Sequence, residues 1–292
     1  MKKLTLLIFL LLAACTMPKV SSPPTPTQTL TAVPTPTASP APSATPSPTL
    51  TPTATPTITP SPTPVLLFQG PGEVVCPILL YHRIDIPPFP NEYYVRPDNF
   101  RAQMEALRAW GYTPIPISLL VKAIKEGAFL PARPVVISFD DGDISVFTNA
   151  FPIMQEFGFT GINYLVGNRL KAEGYMNAEQ VQSLAAAGWE VGSHSMSHTD
   201  LTQTSFLWDE IVDSRTRLER ELGLPVETFA YPFGVENDSA MRTVSTNYVA
   251  AVGLGAFLSQ RPSNLYYLWR RPVDYGCDLE TFGKYLPWNA PP

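Results

Sequence analysis

The chain has 292 residues, with 25 Asp and Glu against 20 Lys and Arg. Of its 33 prolines, 15 fall between Pro18 and Pro64, a stretch whose only charged residue is Lys19. So little apolar side chain cannot offset the entropy of ordering, so folding is expected only beyond it; all 25 acidic but just 17 basic residues lie there, which argues against a nucleic-acid binder.

Met1-Lys2-Lys3 and the Leu-rich stretch that follows have the basic start and short apolar middle of a secretory signal. The run from Leu4 to Ala14 is too short to span a bilayer. Leu12-Ala13-Ala14-Cys15 resembles the lipobox of bacterial lipoproteins, which implies cleavage before Cys15 and a lipid anchor on its thiol. An ordinary cleaved signal with an incidental cysteine is the other reading. Residues 1–15 are thus expected to be the signal, 16–65 a disordered Pro/Thr-rich linker, and 66–292 one folded domain at the outer face of the membrane. In a polyproline-like conformation the linker would reach up to about 150 Å. In that oxidising setting Cys76 and Cys277 are expected to pair as one disulfide, with two unpaired, buried thiols as the other reading.

Within the domain, Val74 to Tyr81 reads as a buried strand and Asp98 as the start of a helix ending at Gly111. A shorter helix is expected over Ile117 to Ile124, a strand over Val135 to Phe139 and a helix over Ile144 to Phe157. Phe159 to Val166 is the next strand. Asn177 with Gln180 forms a capping-box pattern for a helix to Ala187. Trp189 to Ser193 is a strand, and Ser205 to Leu222 the longest helix. Val226 to Tyr231, Tyr248 to Val252 and Leu265 to Val273 complete the strands, with a helix near Ala240. Strands separated by helical segments imply parallel pairing and an α/β fold. About seven such units suit a barrel better than an open sheet, although the pattern alone does not decide between them, and in either chemistry is expected at the carboxyl ends of the strands.

The chain's three histidines, His82, His194 and His198, each follow an expected strand. So do Asp140 and Asp141, and so does Tyr231-Pro232-Phe233-Gly234. Two imidazoles four residues apart, on one helical turn or in a compact loop, can face a common point; with one carboxylate they make a three-ligand set for a divalent ion. Adjacent carboxylates raise each other's pKa unless a cation sits beside them. Zinc is the default ion for such ligands, with nickel, cobalt and iron as alternatives.

Phe139-Asp140-Asp141-Gly142, Ser193 to His198, and Phe229 to Gly234 resemble, in order and spacing, the three motifs of the polysaccharide deacetylases, the NodB-homology group or carbohydrate esterase family 4. The resemblance spans roughly Ile78 to Val273 and implies a distorted (β/α) barrel with about seven parallel strands. It implies that Asp141, His194 and His198 hold the metal, that Asp140 is the general base, and that the Phe233 N–H helps to bind the oxyanion. The family's late Leu-x-His motif is missing, since no histidine follows His198. Leu79-Leu80-Tyr81-His82 resembles the early Tyr-His element of the branch acting on extracellular poly-N-acetylglucosamine, which implies His82 as the acid. Ala230 stands where many members have an arginine that orients the base. Arg271 is the expected replacement, with a salt bridge elsewhere on the rim as its other reading.

The expected activity is removal of N-acetyl groups from an N-acetylated polysaccharide. Rival readings are an acetylxylan-type esterase, a small-amide hydrolase, or an inactive glycan-binding lipoprotein. Tyr93, Tyr94, Trp189, Trp208, Tyr267, Trp269 and Trp288 are candidate platforms for sugar rings, most of them expected instead to pack. Oligomeric state is open.

Overall fold

The computed structural model describes residues 65–292; the expected signal, Cys15 and all of the expected linker but Val65 lie outside the described residues. Seven parallel strands form the central sheet: β1 (Ile78–Tyr81), β2 (Pro134–Phe139), β3 (Ile162–Leu165), β4 (Glu190–Ser193), β5 (Thr228–Ala230), β6 (Ala250–Val252) and β7 (Arg271–Pro272). Their spatial order is β6-β5-β4-β3-β2-β1-β7. Around them lie α1 (Pro97–Ala109), α2 (Ile117–Glu126), α3 (Phe151–Phe157), α4 (Ala178–Ala186), α5 (Ser214–Leu222), α6 (Asp238–Asn247) and α7 (Leu279–Gly283).

All six residues of β2 are buried, as expected for a parallel strand covered on both faces. Alternate side chains point to opposite faces. Odd positions such as Leu79, Ile137, Phe139, Val191 and Phe229 belong to the core that also contains Phe100, Met104 and Leu107 of α1. Even positions such as Ile78, Val136, Tyr164, Ala230 and Val252 form a second core, shared with Leu120 and Ile124 of α2. Gly192 belongs to the same even set, and a Cβ there would stand 2.3 Å from the Tyr164 ring. The glycine therefore leaves the space that lets this large side chain cross to the neighbouring strand.

The stretch before β7 brings the two edges of the curled sheet together. The Leu268 N–H donates to the Ala251 carbonyl at 2.8 Å, and the Gly253 N–H donates to the Leu268 carbonyl at 2.9 Å. Three residues later Arg271 and Pro272 pair with Leu79 and Leu80 of β1. The result is a distorted (β/α) barrel with seven parallel strands, as expected.

Several local expectations need correction. The strand expected over Val74 to Tyr81 is interrupted at Cys76 and Pro77, leaving Val74–Val75 and Ile78–Tyr81, because proline cannot donate to a ladder. Leu265 to Val273 is mostly turn, with pairing confined to Leu268 and β7. The helices expected from Ile144 and Ser205 contain π turns, Val146–Ala150 and Asp209–Asp213, immediately before α3 and α5. The Asn177/Gln180 capping box is present as expected.

The expected disulfide is absent: Cys76 and Cys277 are both free and buried. Cys76 packs in the core shared with α2, whereas Cys277 packs in the core shared with α1, where Gln103 Nε2 donates to its carbonyl at 3.2 Å. Each thiol is thus absorbed by a different apolar cluster, and burial pushes both up from their ordinary pKa.

Candidate active site

The even-numbered, inward parity continues past the strand ends. His82 follows Leu80 of β1, Asp140 follows Ser138 of β2, and His194 follows Gly192 of β4. All three line one cleft of about 630 Å³, together with Asp141, His198, Phe233 and Arg270. Six of the seven residues expected at the site therefore share the cleft; Arg271 does not line it.

Asp141 reaches the cleft from an odd position because the chain turns there. Its φ is 73°, followed by Gly142 at 77°, a left-handed conformation that aspartate tolerates better than most residues. His194 to His198 form a compact loop rather than a helical turn, with Ser195 and His198 at φ 66° and 62°. Ser195 Oγ accepts the His198 N–H at 2.8 Å and closes that loop.

One ligand atom from each of Asp141, His194 and His198 lies within 4.8 Å of the others. The donor chemistry fits a divalent ion. The His194 Nδ1–H donates to the Ala230 carbonyl at 2.8 Å, which leaves Nε2 as the free ligand nitrogen. Burial lowers the pKa of His194 and of His198, against the pull of Asp140 and Asp141, and ligand imidazoles must be neutral. Asp141 Oδ1 lies 3.5 Å from His198 Nε2 and also accepts from Arg169. Two imidazoles and one carboxylate leave open positions for water and substrate.

Asp140 has a different environment. Arg270 Nη1 and Nη2 donate to its two carboxylate oxygens, each at 2.7 Å, in the bidentate geometry that matches guanidinium to carboxylate. Burial alone would raise the Asp140 pKa, but Arg270 chiefly, with His194 and His82, holds it down at about 2. Arg270 is itself 1% exposed. It stacks on the Tyr164 ring at 5.4 Å and donates through Nε to the Gly253 carbonyl at 3.2 Å.

Arg270, not Arg271, is therefore the residue that orients Asp140. The physical reason is parity. Arg270 shares the inward face with Leu268, while Arg271 alternates outward and lies over the Tyr285 ring at 4.6 Å. The Arg-Arg pair was visible in the sequence; which member turns inward depended on where the closing stretch meets its neighbours.

His82 meets the Tyr93 ring edge-on at 5.0 Å, and Tyr93 also lines the cleft. Burial lowers the His82 pKa, while Asp140 and Asp141 pull it back up. Trp189, by contrast, is 4% exposed and stacks on Phe139, so it packs as expected.

Phe233 is left-handed at φ 59°, with its ring edge-on to His198 at 4.6 Å. Tyr267, one of the candidate aromatic platforms, braces this turn. Its hydroxyl donates to the Gly234 carbonyl and accepts the Leu254 N–H at 3.4 Å. Its ring lies against Gly253, where a Cβ would come within 2.2 Å.

The family model "Polysaccharide deacetylase" matches residues 129–252, which include Asp140, Asp141, His194, His198 and Phe233 but not His82 or Arg270. A Bacillus subtilis (strain 168) chain named as a polysaccharide deacetylase, YxkH, is 26% identical over 216 residues, covering 72% of this chain and 75% of that one. A poly-beta-1,6-N-acetyl-D-glucosamine N-deacetylase of Staphylococcus epidermidis is 24% identical over 173 residues, covering 54% of this chain and 60% of the relative. The crystal structure of a polysaccharide deacetylase from Bacillus cereus superposes with a TM-score of 0.66 at 25% identity, covering 73% of this chain and 69% of that one. The barrel and its rim are those of a hydrolase, and over residues 129–252 the chain is similar to the polysaccharide deacetylases.

Proposed function

We propose that the protein is a metal-dependent deacetylase that removes N-acetyl groups from an extracellular polysaccharide containing N-acetylglucosamine, releasing acetate. One observation carries this reading: an ionised Asp140, fixed by Arg270, stands beside a three-ligand cluster in a cleft that also holds His82. The Staphylococcus epidermidis relative supplies the substrate class. The lipobox-like Leu12 to Cys15 supports anchorage at the outer face of the membrane.

Asp141, His194 and His198 would hold the ion. When bound, a divalent cation lowers the pKa of a water molecule and polarises the amide carbonyl. Asp140, kept ionised by Arg270, accepts a proton as water adds to the acetamide carbon. The Phe233 N–H supports the developing oxyanion; one donor of that kind is worth about 2.7–4 kcal/mol. His82 supplies a proton to the sugar nitrogen as the C–N bond breaks, so that acetate and a free amine leave.

The test is acetate release from poly-β-1,6-N-acetylglucosamine, chitin oligomers and peptidoglycan, with and without a chelator. Release from the first substrate, abolished by chelation and restored by added zinc, is expected. Chelator-insensitive release overturns the metal requirement. No release from any of the three by ion-loaded protein overturns the deacetylase reading.

A further inference from the structure

The side chain of Glu210 is one of the few buried charges outside the catalytic set. It projects from the π turn Asp209–Asp213, where the residue is 8% exposed. Among the described residues, no Lys, Arg or His forms an ion pair with it. Its partners belong to the loop between the two histidines of the cluster. Glu210 Oε2 accepts the Ser197 N–H at 2.9 Å and the Met196 N–H at 3.1 Å, and Oε1 accepts the Ser197 hydroxyl at 2.6 Å. The Met196 N–H also reaches the Glu210 backbone carbonyl at 3.0 Å.

This arrangement answers a specific need of the loop. Ser195 and His198 are both left-handed without being glycine, and such conformations cost on the order of 1–3 kcal/mol each. They persist only where surrounding contacts over-determine them. The other side of the loop is held by the Gly167 N–H on the Ser195 carbonyl at 3.0 Å and the Asn168 N–H on the Met196 carbonyl at 2.8 Å. Glu210 completes the grip through charge-assisted bonds, roughly twice as strong as neutral ones. The π turn presents it there; such bulges recur at functional sites.

We infer that Glu210 is a positioning residue for the metal site: its carboxylate clamps Met196 and Ser197 so that His194 and His198 present their ring nitrogens to one ion. This inference rests on the metal reading proposed above and names a residue outside the ligand set. Supporting groups of this kind typically govern metal affinity by about 10–100-fold.

The test is direct metal binding by the full chain. Apo-protein is titrated with Zn²⁺ against a chromophoric chelator, and the visible spectrum of the Co²⁺ form is recorded. Glu210→Gln should weaken the Zn²⁺ dissociation constant by about 10-fold or more and alter the Co²⁺ ligand-field bands. Ser197→Ala removes only the hydroxyl contact and should weaken binding by a smaller factor with the fold intact. It becomes the deciding variant if Glu210→Gln does not fold. A Glu210→Gln protein that folds and binds Zn²⁺ within two-fold of the parent, with unchanged Co²⁺ bands, overturns the inference while leaving the metal reading standing. So does a parental Ser197→Ala affinity where Glu210→Gln is unfolded. A parent chain that binds neither ion overturns both.

Discussion

Arg270 grips both oxygens of Asp140 across 130 residues of chain. That contact ties the stretch before β7 to the carboxyl end of β2 and keeps the proposed base ionised. Arg270→Lys keeps the charge but not the planar fork, and should lower kcat/KM by at least about 10-fold. Because Arg270 holds the Asp140 pKa down, weakening the pair raises that pKa and moves the acid limb of the pH profile upward. A profile measured from pH 4 to 9 checks the direction. Arg270→Met strands a buried carboxylate and should cost about 3–5 kcal/mol of stability by denaturant titration. The stability contributed by the depressed Asp140 pKa is present above its unfolded value and is lost as pH falls toward about 2.

The proposed mechanism gives the cluster and Asp140 separable duties. Asp141→Ala, His194→Ala and His198→Ala should each lose bound metal and acetate release together. Asp140→Asn should retain the ion while losing about 10²–10⁴-fold in rate. Metal content by elemental analysis, beside acetate release, distinguishes the two patterns; equal metal loss in Asp140→Asn would contradict the division.

His82 is assigned to the departing nitrogen, so its importance should depend on the leaving group. His82→Gln should slow hydrolysis of an acetamide about 10²-fold. It should slow an activated acetate ester far less, since a good alkoxide or phenolate leaves without protonation. Parallel rate losses on amide and ester would remove His82 from that step. Chelator competition should show unchanged metal affinity.

Tyr267 ties the Phe233 turn to the loop carrying Leu254 through its hydroxyl. Tyr267→Phe preserves the ring on Gly253 and deletes only those bonds. A loss of about 1 kcal/mol of stability is expected, together with a fall in kcat at nearly constant KM. Steady-state kinetics on a chitin oligomer checks the split; a change confined to KM would place Tyr267 in substrate binding instead.

Much of the rim was legible because it rests on local chemistry. His82, Asp140 and His194 sit two residues beyond inward-facing positions of their strands, and the alternation that buries β1, β2 and β4 carries them into the cleft. The turn at Asp141-Gly142 and the His194 to His198 spacing are likewise local. Arg270 was not legible. Leu265 to Val273 has strand composition, yet only Leu268, Arg271 and Pro272 pair, so the inward parity of that stretch is set by its neighbours. Glu210 was hidden among the apolar positions of an apparent helix, since a π turn shifts which residues face inward.

The sequence by itself determined the alternation of strands and helices and the motifs at the strand ends. Residue type and spacing along the chain suffice for these, because they depend on backbone periodicity. Tertiary structure alone decided which arginine meets Asp140, which carboxylate grips the histidine loop, and why Cys76 and Cys277 never meet. Those outcomes follow from barrel closure and from the separation of two apolar cores, which bring distant segments together or keep them apart irrespective of local pattern.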